Sequence, residues 1–248
     1  MNMDEKFIQA VLGGDNARVK RLLQQSPGIA QARIKQDRLI EAIPHWLYVG
    51  DTALHLAAAA LKARTVEYLL DTGADPSAEN RRGATPLHYA CDARPALGTW
   101  DPSSQAETID LLIRYQADLQ HADRGGVSAL HRAVRARSPV AVRHLLKAGA
   151  RVDGKLGKGG STPLHLAVRS TGAGGTAGAV AEQVEIVRLL LEHGADPTLP
   201  DATGKSAYDS ATNASVREIL LVRQEPKKTV PTRQPESRRS ARHRHPRA

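Results

Sequence analysis

Four histidines, His55, His88, His131 and His165, each follow a hydroxyl residue by three positions: Thr52, Thr85, Ser128 and Thr162. In "GATPLHYAC" and "GSTPLHLAV" the spacing places the imidazole in the first turn of a helix. A histidine there is often a catalytic base or a metal ligand. Two further stretches invite chemistry. "GKLGKGGST", Gly154 to Thr162, sets lysines among glycines as a phosphate loop does, and Cys91 follows the second histidine by three residues.

The elements around these residues recur. The histidines are 33, 43 and 34 residues apart, and each is followed by a leucine-rich block: "VEYLLDTGAD", "IDLLIRYQAD", "VRHLLKAGAR" and "VRLLLEHGAD". Self-similarity at this period marks a solenoid. Thr85 or Thr162 offers a cap to free backbone N–H groups, and Pro86 or Pro163 fills the first helical position, which needs no N–H. Ile109, Leu112 and Ile113 trace the buried stripe of a second helix. Gly73, Gly149 and Gly194 end that helix where a positive φ is cheap. Gln116 replaces the glycine in one copy, which predicts a strained or altered helix end there. Short polar reversals such as "PSAENRRG" and "PTLPDATG" link one unit to the next.

This periodicity answers the chemical question. Equivalent positions in a stack lie roughly 8–10 Å apart, whereas zinc needs its ligands about 2 Å from one centre. Neighbouring histidines therefore cannot share an ion. In "GKLGKGGST" the lysine precedes the glycines and no buried strand leads into the loop, so it reads as a reversal. Cys91 falls where a small buried residue belongs. No catalytic, cofactor or metal site is expected, and the protein reads as a non-enzyme.

"GATPLHYA" followed by "LLLEHGAD" resembles the ankyrin repeat over residues 47–222, and the layout is similar to small ankyrin-only proteins common in bacteria. The resemblance implies an all-α solenoid of stacked helix-loop-helix pairs with hairpin-like reversals. It also implies that each motif histidine bonds within its repeat, with Thr52, Thr85, Ser128 or Thr162 as partner, and to the adjoining loop. The expected organisation is one domain over 1–222. It comprises a degenerate repeat 4–28, a long reversal 29–46, repeats 47–79, 80–122, 123–156 and 157–200, and a capping repeat 201–222. A basic, disordered tail spans 223–248. Insertions at 92–104 and 170–182 lengthen two repeats at the same internal point. The first should restart a helix with a Ser104–Glu107 capping box, and the glycine-rich second should be mobile.

The formal net charge is +9, with 41% hydrophobic residues and 3% aromatic ones. The tail holds nine lysines and arginines against two glutamates, leaving 26 basic and 24 acidic residues elsewhere. One cysteine, no leader-like start and no apolar run of about 18 residues read as a cytoplasmic chain, with no membrane partner and a monomeric state. What remains is binding. Ankyrin repeats contact partners through reversal tips and first helices. By the resemblance that face would present Trp46, Tyr48, Asp51, Arg81, Arg82, Asp92, Arg124, Arg135, Lys158, Arg169 and Lys205. Its basic bias suits an acidic protein segment. The tail offers a second reading, attraction to nucleic acid.

Overall fold

The computed structural model describes residues 3–40, 45–93, 100–169 and 179–224. A small or hydroxyl residue followed by proline or alanine starts most first helices, because proline has its φ preset and needs no N–H there, and alanine loses no side-chain entropy. Six helix pairs result among the described residues. They are α1 (Glu5–Gly13) with α2 (Asn16–Gln25), α3 (Ala53–Ala59) with α4 (Ala63–Asp71), and α5 (Pro86–Cys91) with α6 (Pro102–Arg114). Then come α7 (Ala129–Arg135) with α8 (Pro139–Lys147), α9 (Pro163–Val168) with α10 (Val180–Glu192), and α11 (Ala207–Ser210) with α12 (Ala214–Gln224).

First helices pack on first helices and second on second, giving two layers along the stack. Equivalent side chains build the core as ladders. Leu54, Leu87, Leu130 and Leu164 form one rail, Val66, Ile109, Val142 and Val187 another, and all are buried. Ala57, Ala90, Ala133 and Ala167 are also buried and keep the layers close. A hairpin pair alone would leave these rails wet, so stability comes from stacking.

Both repeats with insertions lengthen the second helix. α6 and α10 have 13 residues, whereas α4 and α8 have 9. In each, the added turn carries a buried glutamine whose amide donates to the end of the preceding first helix: Gln105 to the Ala90 carbonyl at 2.9 Å and Gln183 to the Ala167 carbonyl at 2.9 Å. The two shorter repeats turn instead through left-handed Leu61 (φ 53°) and Arg137 (φ 59°). α6 starts differently from the sequence expectation. Asp101 is its cap, accepting from the Ser103 and Ser104 amides with Pro102 in the first position, so the Ser104–Glu107 box lies inside the helix. A carboxylate with two amide donors outcompetes a hydroxyl as a cap. The tips of both insertions, 94–99 and 170–178, lie outside the described residues, as do 225–248 of the tail.

Gln116 adopts φ 66°, the left-handed turn that Gly73, Gly149 and Gly194 make at 88°, 93° and 89°. The fold imposes the glycine geometry on a residue that carries a Cβ. The long first reversal contains a 3₁₀ turn, Pro27–Gln31, and an antiparallel hairpin, β1 (Arg38–Ile40) with β2 (His45–Leu47), in which Leu39 faces Trp46.

Candidate protein-binding face

Each motif histidine holds one helix start. The Nδ1 of His55 accepts from the Thr52 amide at 3.2 Å and lies 3.0 Å from its hydroxyl. His88, His131 and His165 repeat this with Thr85, Ser128 and Thr162, each amide again at 3.2 Å. An amide can only donate, so the ring proton sits on Nε2. From there His55 donates to the Ala84 carbonyl at 3.0 Å, His88 to Val127 at 2.9 Å and His165 to Lys205 at 3.0 Å, each on the next unit. His131 departs from the pattern: its buried Nε2 faces the Gly154 and Ser161 backbone without a well-aligned hydrogen bond to either. Burial, with Arg132 nearby, pushes the His88 imidazole down to about 4, and burial lowers His131 also.

Among the described residues no group of three or more His, Cys, Asp or Glu is placed to hold a metal ion, and no helix is long and apolar enough to cross a membrane. Cys91 is fully buried, and burial raises its thiol far above the ordinary range, which removes the thiolate needed for reactivity.

The residues expected on the binding face divide into three groups. Arg82, Arg124, Lys158 and Lys205 are exposed on successive reversal tips, and no ion pair engages any of them among the described residues. Arg81 pairs with Asp37, Arg135 approaches Asp92 at 3.8 Å and Arg169 approaches Asp201 at 3.8 Å. Asp51 corrects the expectation, because it is fully buried and cannot meet a partner. Its carboxylate accepts from the Tyr89 hydroxyl at 2.8 Å, the Asn80 amide at 2.9 Å and the Tyr48 backbone at 2.7 Å. Asp92 is largely covered as well, accepting from Arg132 at 2.7 Å.

Tyr48 is half-buried between these groups. Arg82 donates to its hydroxyl at 2.8 Å and lies 4.8 Å from the ring centre, and Arg81 lies 5.8 Å from it. Trp46 is 51% exposed on β2, and Leu39 beside it is 57% exposed.

Sequence reasoning missed the polar thread under this face. The residue after each motif histidine is Leu56, Tyr89, Arg132 or Leu166, so the two inner copies place a polar group in an apolar ladder. That contrast was a readable signal. Arg132 is buried between Asp92 and Asp123, at 2.7 and 3.0 Å. Burial opposes the charge on Asp123, but the Val127 amide and the Arg132 guanidinium outweigh it and hold its carboxyl below the ordinary value. Burial likewise opposes the Arg132 charge, yet the Asp92 and Asp123 carboxylates keep the guanidinium above its ordinary value. For Tyr89, burial and then Asp51 raise the phenol well above its usual range, keeping it a neutral donor.

The stacked pairs and the histidine ties can be set beside known proteins. A family model described as ankyrin repeats in three copies matches residues 7–97 and 102–201. The chain belongs to the ankyrin-repeat family. It is 34% identical over 169 residues to the mouse B-cell lymphoma 3 protein homolog, covering 68% of this chain and 34% of that protein. It is 41% identical over 86 residues to the mouse ankyrin repeat and SOCS box protein 11, covering 34% of this chain and 23% of that one. Against zygote-specific protein 3 of Chlamydomonas reinhardtii the identity is 41% over 87 residues, 35% of this chain and 19% of the relative. The chain thus spans about a third or less of these relatives' lengths. Ankyrin repeats are a general protein-interaction module, so the function to be assigned lies in what this ankyrin-repeat stack binds.

Proposed function

We propose that the protein is a non-enzymatic adaptor or inhibitor that captures an acidic protein segment on its reversal tips and the adjoining first-helix edge. One observation supports this most: four cationic side chains on successive tips, Arg82, Arg124, Lys158 and Lys205, make no ion pair among the described residues, while the carboxylates of Asp51, Asp92 and Asp123 beneath them are engaged internally. Exposed cations held in a row on a rigid stack steer an anionic partner and fix its register. Arginine dominates one end and pairs carboxylates in a bidentate fork, which lysine cannot do.

Isothermal calorimetry with poly-L-glutamate tests this reading. Binding that weakens with salt and disappears in the Arg82→Glu, Arg124→Glu variant, with its thermal transition unchanged, is the expected result. Equal binding by that variant would reject the face. Affinity for duplex DNA that survives this variant but vanishes on deletion of residues 223–248 would instead favour the tail as the binding element.

A further inference from the structure

The tips of the second and third reversals carry an arginine cluster whose geometry says more than its charge. The Arg124 amide donates to the Arg82 carbonyl at 2.9 Å, so two guanidinium side chains leave from directly bonded neighbouring tips. Neither has a carboxylate partner among the described residues. Together with Arg81, Gly125 and Val127 they line a groove of about 350 Å³. Asp123 also lines it, but its carboxylate is turned inward. One oxygen accepts from the Gly125 and Val127 amides at 2.8 and 3.1 Å, and the other from Arg132 at 3.0 Å. Arg81 is held by Asp37. The charge left over is that of Arg82 and Arg124.

We propose that this groove binds a phosphorylated side chain of a partner protein. The inference rests on the protein-binding reading above and narrows it to the group that is read. Two adjacent positive charges are matched by one carboxylate only in part. A phosphoryl group carries about −1.5 to −2 and has three strong acceptor oxygens, enough to engage two guanidinium forks at once. Arg82 is also oriented before any ligand arrives, because its hydrogen bond to the Tyr48 hydroxyl and its place over that ring restrict its rotamers. Less ordering is then left to lose on binding. Lys158 and Lys205, further along the stack, are flexible point charges suited to attraction without this geometry. The groove thus reads a dianion at one end of a more diffuse basic strip.

Three peptides that differ only in a central phosphoserine, serine or glutamate, flanked by glycine and alanine, test this. They would be titrated into the full chain alongside inorganic phosphate, following the arginine side-chain Nε–Hε resonances by NMR. The phosphoserine peptide should shift the Arg82 and Arg124 signals and bind about tenfold more tightly than the glutamate peptide. The Arg82→Gln, Arg124→Gln variant should lose that preference, and the Lys158→Gln, Lys205→Gln variant should keep it. Several outcomes overturn the proposal: no shift with any probe, equal affinity for glutamate and phosphoserine, or a preference that survives loss of both arginines. Inorganic phosphate binding as tightly as the peptide would mean a free-anion site and would also overturn it. Poly-L-glutamate binding without phosphoserine preference would sink this inference alone and leave the acidic-segment reading standing.

Discussion

The junction that His88 spans and the one that His131 faces use the same motif and end differently. At the first, His88 donates to Val127 and the Arg124 amide donates to the Arg82 carbonyl, so the motif histidine and the reversal tip both tie adjacent units. The outer junctions do the same, through His55 with Ala84 and Arg81 with Val49, and through His165 with Lys205 and Ala202 with Gly159. At the His131 junction no tip-to-tip backbone bond forms among the described residues, and the imidazole faces the Ser161 backbone without a well-aligned bond. Its reversal is one residue longer: a bridge joins Leu156 to Ser161 with a 3₁₀ turn, Gly157–Gly159, between them, where Asn80 bonds to Ala84 and Asp201 to Lys205. Arg137 crosses this junction instead, donating to the Ala167 carbonyl at 2.8 Å, and the tip backbones pack closely. A Cβ on Gly126 would lie 2.4 Å from the Gly157 nitrogen, and one on Gly157 2.6 Å from the Gly125 oxygen. Similar sequence motifs therefore do not guarantee equal coupling between repeats.

The sharpest way to break this comparison is Gly126→Ala. Gly126 sits at φ 77° and has no room for a methyl group, so the change should cost roughly 3 kcal/mol or more, summing left-handed strain and overpacking. Gly204→Ala, at φ 78° with open space around it, carries the strain alone and should cost about 1–2 kcal/mol. Urea denaturation of the two variants measures the difference, and equal losses would show that the glycine contact does not hold the third junction.

Acid probes the closed junction next. His88 titrates near 6.5 when unfolded and is held down to about 4 in the fold. Between those values the unfolded chain binds a proton that the native one refuses, so stability is present above pH 6.5 and is lost as pH falls towards 4. The loss from this ring is about 3 kcal/mol, and the lowered His131 adds in the same direction. Ring NMR should find His88 neutral at pH 5, and protonation near 6.5 would mean that the junction opens to water.

The smallest expected effect separates the two histidines directly. His88→Ala should destabilise by ~1–3 kcal/mol, because it removes a buried bond to the next unit and leaves the Thr85 amide without its acceptor. His131→Ala should cost about 1 kcal/mol less, since its contact with the next unit is not a well-aligned bond. Matching thermal shifts would show that Nε2 of His131 finds an acceptor in solution.

Much of this architecture was legible because it is local. The Thr-Pro-Leu-His starts, the leucine rails and the glycine stops each act within a few residues, and the strain at Gln116 followed from one missing glycine. The placement of the residues assigned to the proposed binding face was legible only in outline. Arg82, Arg124, Lys158 and Lys205 are exposed on the tips, whereas Asp51 looked equally available and is buried, since its partners Asn80 and Tyr89 lie 29 and 38 residues along the chain. The helix start at Pro102 was misassigned because two capping signals stand three residues apart and only backbone placement selects Asp101.

The sequence alone determined the repeat, its period and the side chains that cap and fill it, because helix starts, helix ends and buried stripes are set by near neighbours. Tertiary structure decided which imidazoles tie one unit to the next, which carboxylates are internal and which arginines are left with charge to spare. Those outcomes depend on ångström-scale alignment between segments that are distant along the chain.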